Sequence, residues 1–195
     1  MKNIYITLAL AGAASFGAFA PAVLADEWNK QVQITFNEPV EIPGKVLAAG
    51  TYQFKLLEGE LDSRYIVTIY NKNMTRLEAM VLAIPDQRIH AGGENNVIQF
   101  AERPAGSPMA IKAWYYPYAH YGLEFVYPHE RASQLAKVNH EGVYSTRDDL
   151  SPYSNKEMKA GDEASKKMKH STVKSIQADG SENDLTPDNT DNSRP

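Results

Sequence analysis

A two-residue alternation of apolar and polar side chains, broken every few residues by proline, glycine or asparagine, most limits the folds open to this 195-residue chain. Val32, Ile34 and Phe36 alternate with Gln31, Gln33 and Thr35, which predicts a half-buried strand ended by Asn37-Glu38-Pro39. Tyr52, Phe54 and Leu56 repeat the period within a strand from Thr51 to Leu57. Between the two lie Val40-Glu41-Ile42, a Pro43-Gly44 pair suited to a tight turn with glycine at the positive-φ position, and the short Val46-Leu47. Tyr65 to Tyr70 is rich in β-branched and aromatic residues and stops at Asn71-Lys72-Asn73, a hairpin turn. Leu77 to Ile84 is apolar on both faces and reads as a central strand closed by Pro85-Asp86. Val97 to Phe100, Ile111 to Tyr116 and Glu124 to Tyr127 complete the set. Short strands at turn-punctuated intervals predict an all-β domain, an antiparallel β-sandwich or small barrel.

The period changes after Pro128. Ala132, Leu135 and Ala136 fall on one face of a short amphipathic helix from Pro128 to Val138, which packs on or caps the sheet. From 139 to 195 the composition shifts to Asp, Asn, Ser, Thr, Lys and Gly with scattered single hydrophobics. That offers little apolar surface to offset the entropy of ordering, so a disordered polar tail is expected. The tail is lysine-rich from Lys156 to Lys174 and acidic from Asp179 to Asp191. At most a weak, transient helix is expected around Lys156 to Met168, with Gly161 against it.

The first residues predict export. Lys2 precedes a charge-free apolar run from Ile4 to Ala20, and Val23 and Ala25 supply the small residues of a cleavage site between Ala25 and Asp26. The run is short for a membrane anchor, which needs about 20 apolar residues. The expected organisation is a signal peptide over 1–25, a β-domain over 26–138 and the tail over 139–195, in the periplasm or outside the cell. No later stretch is long and apolar enough to span a bilayer as a helix. The strands are too short for a lipid-facing barrel. The chain has no cysteine, so disulfides and thiolate metal sites are excluded. With 20 Lys and Arg against 24 Asp and Glu, no basic face marks a nucleic-acid partner.

The domain resembles a group of small, exported, functionally uncharacterised bacterial proteins. The residues that carry the resemblance are Asn37-Glu38-Pro39-Val40-Glu41-Ile42-Pro43-Gly44, Ala49-Gly50-Thr51-Tyr52, Ile84-Pro85-Asp86, Glu102-Arg103-Pro104 and Phe125-Val126-Tyr127-Pro128. It spans most of Trp28 to Lys137 and leaves the tail uncovered. The resemblance implies export and a β-sandwich and transfers no catalytic residue.

The stretch from Ala113 to Pro128 holds the candidate site. Its aromatic residues Trp114, Tyr115, Tyr116, Tyr118, Tyr121, Phe125 and Tyr127 are interrupted by Pro117 and Gly122. Aromatic faces beside polar groups stack on sugar rings and anchor protein interfaces. Trp114, Phe125 and Tyr127 are expected to face the core, while Tyr116, Tyr118 and Tyr121 surround the point where the chain leaves the sheet. The candidate ligand-binding residues are Trp114, Tyr115, Tyr116, Tyr118 and Tyr121.

Other chemistry is less well supported. His90, His120, His129 and His140 lack the close pairing typical of zinc sites, so no metal or other cofactor is expected. Nucleophile-elbow, phosphate-loop and HExxH motifs are missing. The sequence therefore points to a non-catalytic interaction module of the cell envelope that binds a glycan or a protein. The alternatives are a small envelope hydrolase using Glu102 or Glu124 and a structural coat component that associates through sheet edges.

Overall fold

A computed structural model describes residues 31–57, 65–93, 97–102, 106–150 and 163–185. The expected signal peptide with its cleavage site, Trp28, the polar loop from Glu58 to Ser63, and residues 186–195 lie outside the described residues. The chain forms β1 (Gln31–Phe36), β2 (Val40–Ile42), β3 (Lys45–Leu47), β4 (Gly50–Leu56), β5 (Tyr65–Asn71), β6 (Leu77–Gln87), β7 (Ile98–Ala101), β8 (Met109–Tyr115), β9 (Tyr121–Phe125) and β10 (Tyr127–Pro128). These are followed by α1 (His129–Asn139), β11 (Val143–Thr146), α2 (Glu163–Lys169), β12 (Lys174–Ile176) and β13 (Glu182–Asp184). The protein is thus mostly β, as the alternation predicts.

One large sheet has the hydrogen-bonded order β1-β4-β5-β6-β9-β8, with β7 on one edge of β8 and the β2-β3 hairpin on the other. The sheet curls around a single core. β4 and β8 stand four strands apart, about 19 Å if the sheet were flat, yet the Phe54 and Trp114 rings are 6.0 Å apart. β1 and β7 are farther apart still in strand order, and their Phe36 and Phe100 rings meet at 6.4 Å. The sheet therefore returns on itself and fills its interior with Val32, Ile34, Phe36, Phe54, Val67, Ile69, Val81, Ile111, Trp114 and Phe125. Gly44 takes the predicted left-handed turn conformation, with φ of 76°.

β6 departs from expectation at its end: it continues through Pro85 to Gln87. β5 pairs with β6 only as far as Tyr65 opposite Ala83, whereas β9 pairs on to Gln87. Among the described residues, Pro85 therefore lies where β6 has a strand on one side only, the place where a missing N–H is tolerated. α1 matches its predicted face, with Ala132, Leu135 and Ala136 buried against the same core. Arg131 clamps α1 to β2 by donating to both carboxylate oxygens of Glu41, at 2.6 and 2.7 Å.

The expectation of a disordered tail does not hold for its described part, and α2 adds a second short helix. β10, β11, β12 and β13 form a separate small sheet, parallel between β10 and β11 and antiparallel beyond. The physical reason lies in β5 and β6. Their outer face carries Ile66, Leu77, Met80 and Leu82, and the C-terminal residues Met168 and Val173 cover it, with Tyr144, Leu150 and Leu185 packed alongside. Scattered single hydrophobics cannot build a core of their own, but they can complete one that a two-faced strand has already half built. The chain passes from the large sheet to the small one at Val126, whose N–H donates to the Leu82 carbonyl at 2.9 Å.

Candidate functional site

The five candidate aromatic residues separate into two buried, one half-buried and two exposed. Trp114 is 0% exposed. Its ring packs edge-on against Phe54 and, at 5.2 Å, against Tyr116. Its indole N–H has no hydrogen-bond partner among the described residues. Tyr116 in turn meets Tyr121 edge-on at 5.5 Å, so the three rings step from the core to the rim. Burial, and then the neighbouring Tyr121 and Tyr65, raise the Tyr116 phenol above its ordinary pKa.

Tyr115 faces the other side of the sheet and is 2% exposed. Its ring lies on Gly122 of β9, where an added Cβ would stand 2.5 Å from the ring. Its hydroxyl donates to the Asp86 carboxylate, and Gln99 Oε1 is 3.2 Å away. Burial first, and then this bond to Asp86, hold the phenol well above its ordinary pKa. The Arg88 guanidinium carbon sits 4.3 Å from the centre of the ring, in cation–π contact. The same guanidinium donates from Nε and Nη2 to the Ala119 carbonyl at 3.1 and 2.9 Å, while the Arg88 backbone N–H donates to the His120 carbonyl at 2.8 Å. Tyr115 is therefore a pin under the loop and out of a ligand's reach.

What the pinned loop presents is Tyr118, 67% exposed, and Tyr121, 60% exposed. Ile89, the residue after Arg88, is 88% exposed beside them. Gln87 pairs with Tyr121 across the strands, which places Ile89 at the same end of the sheet. Tyr118 has φ of 58°, a left-handed conformation that is uncommon for a bulky side chain. The Ala119 N–H closes that turn on the Tyr116 carbonyl at 3.1 Å. No Asp or Glu occurs from 87 to 93 or from 116 to 121.

Glu102 and Glu124 do not form a catalytic pair. Glu124 stands opposite Ala113 and Ala113 opposite Gln99, so Glu102 lies two strands away and three residues along. At strand and residue spacings of about 4.8 and 3.3 Å that is roughly 14 Å, beyond the roughly 5–9.5 Å that glycosidase carboxylates need. Glu124 is 9% exposed and borders a void of about 10 Å³, room for one water. The histidines stand apart: His129 opens α1 with Nδ1 3.5 Å from Glu182, His140 ends the same helix in a left-handed conformation, and His90 and His120 are exposed. Among the described residues no three His, Asp or Glu side chains converge to hold a metal ion. A cleft of about 390 Å³ opens at the start of α1, between His129 and Glu130 and the Thr146-to-Leu150 segment.

Sequence reasoning missed Asp86, Arg88, Ile89, Gln99 and Gly122 as parts of this site. Local pattern gave no signal for the first four, whose roles arise from strand pairing. Gly122 inside an aromatic-flanked strand was the one available clue, because a strand glycine often marks close approach by another group. Comparison with protein families, with curated proteins and with solved structures gives no significant match.

Proposed function

We propose that this protein is a non-catalytic, exported interaction module of the cell envelope that engages a glycan or a protein through the Tyr118 and Tyr121 rim, with Ile89 at its border. The observation that carries this reading is Tyr118. A large aromatic side chain occupies a left-handed turn position and exposes its ring, where glycine would avoid a cost of roughly 1–2 kcal/mol. Strain of this kind concentrates at functional sites. Arg88 and Tyr115 fix the loop from behind, so binding need not order it, and preorganisation of that sort improves affinity. The rings suit both ligand classes, since sugar C–H faces and apolar protein surfaces each pack on tyrosine.

The test uses the mature chain, isolated cell-envelope fragments and a panel of neutral and acidic polysaccharides. Tyr118→Gly leaves stability within about 1 kcal/mol, because relief of strain offsets the added freedom of the unfolded chain. Together with Tyr121→Ser it lowers co-sedimentation with the fragments at least tenfold. Glu102→Gln leaves co-sedimentation unchanged. Retained binding in the double tyrosine variant would remove the rim from the reading. Release of soluble products from the fragments by the parent, abolished in Glu102→Gln, would favour the hydrolase alternative.

A further inference from the structure

The small C-terminal sheet is tied to the large one beside a buried carboxyl. Lys112 on β8 reaches across to Glu141, in the connection between α1 and β11, with Nζ and Oε2 2.5 Å apart. Glu124 on β9 lies beneath this bridge in the void bordered by Lys112, Asn139, Glu141, Gly142 and Val143. Its carboxyl has no hydrogen bond to any described residue. The groups that face it come from every element packed around it. β8 contributes Lys112 and Tyr115, β6 contributes Asp86, the α1–β11 connection contributes Glu141 and β11 contributes Tyr144. α1 contributes only Leu135 and Asn139, and β10 contributes Tyr127, whose hydroxyl donates to the Ile111 carbonyl at 2.8 Å. Asp86 is a diagonal neighbour on the same face of β6 and β9, since Ile84 is the residue opposite Glu124. Among the described residues, three carboxyls thus share one ammonium.

We propose that Glu124 is a proton-operated latch: neutral, it seats the Asn139-to-Tyr144 segment on the sheet; ionised, it drives that segment and β11 away. β9 is held by longer ladders to β6 and β8, whereas β11 joins β10 only at Tyr127–Ser145 and Pro128–Thr146, so the covering segment, moving with β12, is what can yield. Lifting it admits water to the carboxylate and separates Glu141 from both Glu124 and Asp86. Burial raises the Glu124 pKa most, Lys112 lowers it, and Asp86 and Glu141 raise it further, to about 7. A glutamate in water titrates near about 4.3. The closed form therefore holds a proton that the open form has released across this window. Closure is fully favoured below about pH 4.3, loses ground as the pH rises and stops changing above about 7. The opening constant grows about tenfold per pH unit within the window, a few hundred-fold in total.

The test follows amide hydrogen-exchange protection of Val143 to Thr146 in the mature chain from pH 4.5 to 8.5, with Ile34 and Phe54 as controls. The expected result is a tenfold fall per unit up to about pH 7 in β11, then a plateau, with the controls unaffected. In Glu124→Gln the β11 protection no longer varies with pH. A carboxyl-carbon NMR titration provides a readout on the unaltered chain: the Glu124 midpoint lies near 7, and Glu141→Gln moves it down. The latch is overturned by an unchanged fall in Glu124→Gln, by an equal fall in β1 and β4, or by a Glu124 midpoint near 4.3.

Discussion

Replacing Trp114 with alanine is expected to cost about 3–5 kcal/mol of folding stability, the range for deleting a fully buried aromatic side chain. Trp114 fills the centre of the curled sheet, with Phe54 on one side and Tyr116 on the other. Neither neighbour can move into the space without leaving its own strand or turn, so the cavity stays open. For a chain of this size the melting temperature should drop by roughly 6–20 °C. Trp114→Phe gives a different result. It keeps an aromatic ring in place and removes an indole N–H that has no partner among the described residues, a group whose burial alone costs about 1–3 kcal/mol. The phenylalanine variant should therefore lose no more than about 1.5 kcal/mol.

Denaturant unfolding followed by circular dichroism checks both values. An alanine variant within about 1 kcal/mol of the parent would mean that Trp114 does not fill the core. The pair also bears on function. If Trp114→Phe binds envelope fragments as the parent does while Tyr118→Gly with Tyr121→Ser does not, the ligand meets the rim and not the indole. In a Trp28→Phe background the Trp114 emission should be blue-shifted and resist acrylamide.

Alternation made the strands legible, because a half-buried strand prints its burial on its sequence. Val32, Ile34 and Phe36 are buried as the pattern requires, and so are Tyr52, Phe54 and Leu56. Alternation does not encode curl. The inward residues of a sandwich and of a curled sheet follow the same two-residue period, and what links β4 to β8 here, the unbroken pairing through β5, β6 and β9, joins distant parts of the chain. Pro85 misled for a related reason: proline punctuates locally, whereas the pairing that carries β6 past it comes from β9.

The C-terminal segment was partly legible in β6. A strand apolar on both faces needs cover on both, and the curled core supplies only one. Leu150, Met168, Val173 and Leu185 are too sparse to form a core among themselves, but Ile66, Met80 and Leu82 give them an apolar face to pack on. At the rim, alternation predicts Trp114 inside, which leaves its neighbour Tyr115 on the other face of the sheet. It could not show that the outside of that sheet is covered as well. Tyr115 is the residue on which this difference turns, since its burial makes it a support for Tyr118 and Tyr121.

Gly122→Ala tests that support directly, with an expected loss of about 2–4 kcal/mol. The new Cβ would lie 2.5 Å from the Tyr115 ring and 2.6 Å from the Trp114 carbonyl oxygen. A ring can turn away, but the carbonyl belongs to the β8 backbone, where Trp114 pairs with Leu123 and Tyr115 with Gly122. Relief therefore requires the two strands to part, which is overpacking of the costlier kind. A displaced Tyr115 would also cost the half-buried Asp86 carboxylate one of its two donors, leaving it the Gln87 N–H, and would deprive Arg88 of its stacking partner. The rim should lose order with the pin, so binding should weaken although Tyr118 and Tyr121 are unchanged. Gly50→Ala is the control: its nearest atoms, in Tyr52, would be 3.7 Å away, and stability should stay within about 1 kcal/mol. If Gly122→Ala is as mild as Gly50→Ala and binding persists, the contact of Tyr115 with β9 does not organise the loop, and the rim must be held by Arg88 alone.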